Sequence, residues 1–282
     1  MNWETSYYEL TAVAARQLGF VTAAQAARVG VPAAALDRFG ESGLVLEIDT
    51  AVFQLSAGQP DPIAAHPYAA WLALSPDRFA WERPAAPHED AVLSHHSAAR
   101  LLRLGAPSQA GLVFTAPEER AAPAGTTVRA APLAPDEVTR ESGVPVTTAH
   151  RTVLDLIRGG TAHDEVGGVL LAALRGDLVD IGALHTDLAP LAERFGFAAD
   201  GAAFVDHFLG EAADSVPLSS LSQRNARGLA RLRFPSRVAE VEDLLRAAAA
   251  ERAADSDAAV LARDPDLVRG IAAEITARSD RR

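Results

Sequence analysis

Lysine and cysteine are both absent from this chain, and each absence removes a class of chemistry. Without lysine there is no Schiff-base amine, no phosphate-loop lysine and no carboxylate–lysine nuclease centre. Without cysteine there is no disulfide, no thiolate zinc site and no cysteine nucleophile. All 26 basic residues are therefore arginines, against 37 acidic residues and a formal net charge of −11. Because an acidic protein repels nucleic acid at long range, binding to DNA requires a local basic patch.

Sequence motifs for the common catalytic and cofactor sites are missing too. There is no GxSxG nucleophile turn and no glycine-rich loop between a strand and a helix. The eight histidines are scattered, without a second clustered set of metal ligands. We therefore expect no catalytic residue, no metal and no cofactor, and predict that the chain is not an enzyme. Because it shows neither a signal-peptide pattern nor an apolar run of about 18 residues, we expect a cytoplasmic protein without a membrane span.

The first 55 or so residues follow the order of a winged helix-turn-helix domain. Apolar spacing predicts a helix over residues 7–18. Thr22 is a suitable N-cap for a second helix to residue 27, and Pro32 suits the first position of a third helix to residue 39. Two alternating runs, 44–48 and 51–55, predict a β-hairpin. Three short helices followed by a hairpin are typical of the winged-helix arrangement.

The rest of the chain separates into a mixed segment and a helical one. Residues 59–62 are polar and contain proline, which predicts a boundary. Beyond them the patterns predict helices at 64–74, at 95–104 and at 149–157, the last capped by Thr148, a loop at 81–90, and strands at 111–116, 126–133 and 144–147. From residue 164 only helices are predicted, among them 181–195, which Asp180 would cap. We therefore predict an α+β protein with a winged helix-turn-helix domain (1–58), a mixed α/β domain (62–160) and a largely helical C-terminal region (161–282).

Five segments together match the pattern of one known family. They are GFVTAAQA at 19–26, VPAAAL at 31–36, the predicted hairpin at 43–55, VLSHHSAA at 92–99 and GVPVTTAHRTVLDL at 143–156. In combination they resemble the AbiEi family of bacterial antitoxins and antitoxin-like regulators, over roughly residues 5–210.

The resemblance implies a transcriptional regulator that binds operator DNA and counteracts a cognate nucleotidyltransferase-type toxin encoded nearby. Residues 211–282 lack the strands and the lysine of the restriction-like nuclease domain that some relatives carry, so we expect no nuclease. The family pattern and the helix-turn-helix arrangement together predict a set of DNA-facing residues: Thr22, Gln25, Pro32, Ala33, Ala34, Asp37, Arg38 and Thr50.

The charge of this expected surface departs from the family pattern. Residues 1–60 contain three arginines and six carboxylates. Glu47 and Asp49 fall near the tip of the predicted hairpin, where a winged helix meets phosphates. Because phosphate neutralisation supplies most non-specific affinity for DNA, this composition favours an alternative. In that alternative the chain is a protein-interaction module of the same ancestry whose winged helix no longer binds DNA.

A second candidate surface is the densest basic run in the chain. It consists of Arg224, Arg227, Arg231, Arg233 and Arg237. Helical spacing predicts that the first three lie on one face. Two interpretations remain open: a contact with an anionic partner, or a solvated helix face balanced by the nearby carboxylates Glu240, Glu242 and Asp243.

Two smaller polar motifs carry weaker predictions. His95 and His96 are adjacent on a predicted helix, where side chains point about 100° apart, so they do not form a metal-binding pair. Arg151 and Asp155 have the i, i+4 spacing of a helical ion pair.

Overall fold

The computed structural model describes residues 3–56, 58, 60–105, 107–214, 218–251 and 264–279. It contains helices and two small sheets, which confirms the predicted α+β class. The chain forms two compact units, Met1–Leu156 and Ile157–Arg282.

The first unit begins with three helices and a three-stranded sheet. In chain order these elements are α1 (Trp3–Ala14), β1 (Phe20–Thr22), α2 (Ala23–Arg28), α3 (Ala33–Glu41), β2 (Val45–Asp49) and β3 (Val52–Leu55). The sheet has the order β1-β3-β2, and both of its strand pairs are antiparallel. Helices α2 and α3 and the hairpin lie near their predicted positions. The helix predicted over residues 7–18 spans Trp3–Ala14 instead, and β1 is not predicted from the sequence. Pro32 is the N-cap of α3 and not its first residue.

Both faces of this first sheet are covered. Val21 and Leu55 pack with Leu36 of α3 in a core formed with α1 and α2. Phe20 and Val52, on the opposite face, belong to a second core that includes helix α4 (Pro62–Ala73). The predicted boundary at residues 59–62 therefore falls between segments that share a core inside one compact unit.

The second sheet of this unit has five strands. After α4 come β4 (Val92–Leu93), α5 (His95–Leu101), β5 (Leu112–Ala116), β6 (Thr126–Ala130), β7 (Val138–Glu141), β8 (Val144–Thr147) and α6 (Ala149–Arg158). The strand order is β6-β5-β4-β8-β7, with β5–β6 and β4–β8 parallel and the other pairs antiparallel. Tyr68 and Trp71 of α4 pack against Phe114 and Val146 of this sheet.

Several predicted boundaries in this region are wrong by a few residues. The strand predicted at 126–133 ends at Ala130, and the helix predicted at 95–104 ends at Leu101. The segment 81–90, predicted as a loop, contains parts of two 3₁₀ turns, Ala80–Glu82 and Pro87–Glu89. Strands β4 and β7 are not predicted, because β4 has two residues and β7 is exposed at all but its first residue, so neither shows an apolar periodic signal.

The described part of the second unit beyond α6 is helical, as predicted. Its helices are α7 (His163–Arg175), α8 (Ile181–Ala192), α9 (Ala202–Asp214), α10 (Gln223–Arg233), α11 (Pro235–Glu251) and α12 (Pro265–Ser279). Asp180 caps α8 by accepting hydrogen bonds from the N–H groups of Gly182 and Ala183 at 2.8 and 3.0 Å. Helix α8 ends at Ala192, before a 3₁₀ turn over Glu193–Phe195, and not at residue 195 as predicted. None of the helices in the described ranges combines the length and apolar character needed to span a bilayer.

Candidate nucleic-acid interface

Helix α3 has one buried side and one side open to solvent. Leu36 and Phe39 are 2% and 3% exposed, and the Phe39 ring packs edge-on against Tyr7 of α1 with centroids 5.3 Å apart. Five of the eight predicted DNA-facing residues lie at the N-cap of α3 or within it. All five are exposed: Pro32, Ala33, Ala34, Asp37 and Arg38. These five residues, hereafter the α3 surface, therefore share the accessible flank of the helix.

Arg38 is the cation of the α3 surface. Its guanidinium forms no ion pair or hydrogen bond with any residue that the structure describes. Asp37 precedes it and Glu41 follows three residues later, and both are exposed. The positive charge of this surface thus comes from one unpaired side chain beside two carboxylates.

Thr22 and Gln25 do not belong to an accessible surface, which corrects their predicted role as DNA-facing residues. Both are 0% exposed. The Thr22 hydroxyl accepts a hydrogen bond from the Gln25 N–H at 3.0 Å, and the Gln25 amide oxygen accepts one from the Thr22 N–H at 3.0 Å. This reciprocal capping box confirms Thr22 as the N-cap of α2. The pair fixes the start of α2 and is not available to a ligand in this conformation.

Residues 76–82 cover the start of α2 and were not identified from the sequence. The Thr22 hydroxyl donates to the Pro76 carbonyl, and the Gln25 amide donates to the Arg78 carbonyl at 2.7 Å. In a helix-turn-helix bound to DNA, the first helix of the motif crosses the phosphate backbone, and α2 stands where the sequence predicts that helix. The covering segment therefore restricts any approach to DNA through α2.

The same segment also engages the other two arginines of the first 55 residues. Arg28 donates to both carboxylate oxygens of Glu82 at 2.7 and 2.8 Å. This hydrogen bonding, together with the Phe79 N–H, lowers the pKa of Glu82 to about 2. The Arg16 guanidinium lies 3.9 Å from the centroid of a Trp81 ring. Since both arginines already have intramolecular contacts, Arg38 is left as the free cation of the described residues 3–55.

The tip of the β2–β3 hairpin carries acidic side chains that accept hydrogen bonds from the N–H groups of its turn. The Glu47 carboxylate accepts a hydrogen bond from the Ala51 N–H at 2.9 Å, and Asp49 accepts one from the Thr50 N–H at 2.6 Å. Thr50, the predicted DNA-facing residue here, is exposed. The carboxylates stabilise the turn by satisfying its N–H groups, and they would repel a nearby phosphate.

The basic run in the second unit is largely neutralised within the protein. Arg224 pairs with Asp177 at 2.8 Å and with Asp180 at 3.4 Å, Arg233 pairs with Asp206 at 2.9 Å, and Arg227 pairs with Glu274. Arg231 and Arg237 form no ion pair with the described residues and are exposed. The partners come from other helices and loops, and not from the predicted Glu240, Glu242 and Asp243. The geometry therefore favours a structural role for three of the five arginines.

A second polar cluster lies where β4 leads into α5. The Ser94 hydroxyl, fully buried, lies 2.9 Å from Nδ1 of His95 and accepts a hydrogen bond from the Thr115 hydroxyl at 2.9 Å. His95 has a φ of 54°, in the left-handed region. Burial, followed by the charges of Arg129, His96 and Arg151, lowers the pKa of His95 to about 4. The imidazole is therefore neutral at pH 7.

Arg151 confirms the ion pair predicted from its spacing with Asp155. Its Nε lies 2.7 Å from Oδ1 of Asp155, and its Nη1 lies 2.7 Å from Oε2 of Glu137. Arg151 thereby connects α6 to the turn before β7. No group of three or more acidic or histidine side chains among the described residues is arranged to hold a metal ion.

Comparisons with known proteins add no family to these observations. A scan against models of protein families finds no match to this chain. A search among curated proteins also finds no match. The resemblance to the AbiEi family thus depends on the quoted segments and remains a prediction.

Proposed function

We propose that residues 3–55 form a winged-helix unit and that the chain is an antitoxin-like transcriptional regulator. In this proposal the α3 surface meets operator DNA. The observation that carries the proposal is the element order helix, strand, helix, helix, strand, strand, with β1 closing a sheet on the β2–β3 hairpin. That order and the solvent-facing side of α3 are what a winged helix needs to place a helix in the major groove.

The charge of the α3 surface fixes what kind of binding is expected. With Arg38 as the free cation, the electrostatic contribution from phosphates is small, since each contact changes log K by about 0.9 per decade of salt. Arg38 would then make a single phosphate contact, and the remaining affinity must come from base edges, where Asp37 would accept from cytosine. Binding of two copies of the chain to repeated half-sites would increase the affinity for the operator.

The antitoxin part of the proposal derives from the resemblance to the AbiEi family. It predicts a nucleotidyltransferase-type toxin encoded by a neighbouring gene, and growth rescue when both proteins are co-expressed. A toxin that remains fully active in the presence of this chain would contradict this part, whatever the outcome for DNA.

DNA binding is tested with the full chain and a labelled fragment from upstream of its own gene. The proposal predicts a retarded band at micromolar protein and about 50 mM salt, a condition that favours even weak electrostatic binding. A scrambled fragment of equal length is the matched control for sequence preference. The absence of a band under these conditions would exclude operator binding by this chain.

A protein-interaction module is the second candidate, and one observation favours it. Residues 76–82 cover the start of α2, and the exposed carboxylates Asp37 and Glu41 are near Arg38 in the sequence, so the exposed surface suits a basic protein at least as well as DNA. This candidate predicts a stable complex with the toxin together with a negative result in the DNA experiment. Retarded operator DNA would instead favour the regulator.

A further inference from the structure

A groove between α1 and α3 is lined mainly by apolar side chains. The lining includes Trp3 of α1, Pro32, Ala34 and Phe39 at and within α3, and Leu44 after that helix. Its volume is about 570 Å³. Pockets that bind small organic molecules commonly measure about 300–1,000 Å³ and are mostly apolar with few polar groups. The groove thus has the size and the lining of a small-molecule site.

Arg38 supplies the charge of this groove. It is the charged side chain among the lining residues, whereas its acidic neighbours Asp37 and Glu41 do not line the groove. Within the described residues its guanidinium has no ion pair and no hydrogen bond. A guanidinium presents parallel N–H groups that match the two oxygens of a carboxylate. An apolar cavity with one free guanidinium is therefore complementary to an apolar molecule with one acid group.

We propose that the groove between α1 and α3 binds a small apolar carboxylate, whose acid group pairs with Arg38 while its hydrocarbon part packs against Trp3 and Phe39. A singly charged acid fits better than a phosphate ester, because one cation neutralises one charge and the remaining lining offers little compensation for a second.

A carboxylate bound in this groove would compete with DNA for the α3 surface, and this competition rests on the proposed function. Arg38 belongs both to the groove and to the surface assigned to DNA. A carboxylate paired with Arg38 removes the free cation from that surface and adds nothing to replace it. The ligand and operator DNA therefore compete for the same side chain.

The binding itself is tested without DNA. The full chain is titrated in a calorimeter with 4-phenylbutyrate, octanoate and cyclohexanecarboxylate, and with 4-phenylbutanamide as the neutral analogue of the first. At least one acid is expected to bind at millimolar concentration or below, and 4-phenylbutyrate is expected to bind about tenfold more tightly than its amide. The absence of binding by all three acids, or equal binding of the acid and the amide, would overturn the proposal.

Three variants locate the site. Arg38→Gln is expected to abolish the preference for the acid over the amide, whereas Arg140→Gln, at an exposed arginine of β7, is expected to retain it. Ala34→Trp, at an exposed lining position, is expected to fill the groove and abolish binding of both compounds. Circular dichroism checks that each variant is folded. Unchanged binding by folded Arg38→Gln and Ala34→Trp would place the ligand elsewhere and overturn the proposal.

Two further outcomes separate the ligand site from the proposed function. If the acid binds and DNA does not, the ligand site is supported and operator binding is excluded. If DNA binds and the acid does not, operator binding is supported and the ligand site is excluded. A concentration-dependent dimer that Ala34→Trp disrupts would identify a second copy of this chain as the occupant and would also overturn the small-molecule proposal.

Discussion

At the scale of single residues, a buried ion pair fixes α4 to the start of β4. Arg83 donates to the Asp90 carboxylate from Nε at 2.7 Å and from Nη2 at 2.9 Å, and to the Trp71 carbonyl from Nη1 at 2.8 Å. The two side chains are 1% and 5% exposed. Burial by itself would raise the pKa of Asp90, but the hydrogen bond and charge of Arg83 outweigh it, so that pKa lies below its usual value.

Arg83→Ala is therefore expected to destabilise the protein by about 3–5 kcal/mol, because Asp90 is left as a buried charge without its main partner. Chemical unfolding at pH 7 measures the change, with the exposed Arg140→Ala expected to cost less than about 1 kcal/mol. The loss caused by Arg83→Ala should become smaller as the pH falls through the pKa of Asp90, where the carboxylate is protonated. A loss below about 1 kcal/mol at pH 7 would show that the pair does not hold α4 and β4 together.

The His95 imidazole gives a pH dependence with a definite sign. Its pKa is about 4 in the folded protein, below the ordinary value of 6.5. Between these values the unfolded chain binds a proton that the folded chain does not, so stability is lost as the pH falls from 6.5 towards 4. The slope approaches about 1.4 kcal/mol per pH unit, the value for one proton. His95→Asn, which tolerates a positive φ, is expected to lack this part of the slope.

An NMR titration of the His95 ring tests the origin of this slope. We expect a midpoint near pH 4. The signal that is missing from the spectrum of His95→Asn identifies the His95 ring. A midpoint close to 6.5 would mean that burial and the neighbouring arginines do not suppress protonation.

Residues whose role depends on the local chain were predictable, and residues whose role depends on distant segments were not. Thr22 was predicted as an N-cap because the capping signal lies within four residues, and the structure confirms it. Its burial was not predictable, because the covering carbonyl belongs to Pro76, 54 positions later. The same limit applies to Arg28, whose partner Glu82 is equally remote. The residues of the α3 surface were predicted as DNA-facing from the family pattern and the helix-turn-helix arrangement, and they are exposed in the structure.

At the scale of elements, α7 contains two adjacent glycines with opposite surroundings. A Cβ on Gly167 would lie 2.2 Å from the Phe208 carbonyl oxygen of α9, whereas a Cβ on Gly168 would meet nothing within 4 Å. Gly167 thus allows the close approach of α7 to α9, and Gly168 only weakens its helix.

Gly167→Ala is expected to destabilise the protein by at least about 2 kcal/mol, since backbone must shift to make room. Gly168→Ala, the matched control, is expected to stabilise it by about 0.5–1 kcal/mol through helix propensity. Thermal unfolding followed by circular dichroism compares the two. If both substitutions stabilise, the contact between α7 and α9 is looser than described.

Most of the elements that the sequence predicted have a long periodic signal. Helices α7 to α12 and the β2–β3 hairpin extend over enough residues for the apolar pattern to repeat. Strand β1 has three residues, all buried, and therefore shows no alternation. Strand β7 is exposed along its length except at Val138, and it is defined by its pairing with β8. Such strands are fixed by tertiary contacts, which a local pattern does not contain.

At the scale of the whole molecule, one of the two faces of the first sheet is buried by the core that contains α4. Phe20 and Val52 are 0% and 1% exposed and pack in the core that contains Tyr68 and Trp71. A fragment of residues 1–58 would expose both side chains, at about 1.5–3 kcal/mol for each large apolar group. We expect this fragment to be unfolded, and a fragment of residues 1–160, ending after α6, to be folded.

Amide dispersion in two-dimensional NMR spectra distinguishes the two fragments. A well-dispersed spectrum of residues 1–58 would show that this segment folds without α4. It would also restore the domain boundary that the sequence predicts at residues 59–62.

The proposed contact between the α3 surface and DNA can be tested through the salt dependence of DNA binding. Binding of the upstream DNA is measured by fluorescence anisotropy over a salt series for the unaltered chain, Arg38→Ala and the control Arg140→Ala. We expect weaker binding by Arg38→Ala and a slope of log K against log salt reduced by about 0.9, the value for one phosphate contact, with Arg140→Ala unchanged. An affinity and slope that Arg38→Ala leaves unaltered would contradict the assignment of α3 as the DNA-facing helix.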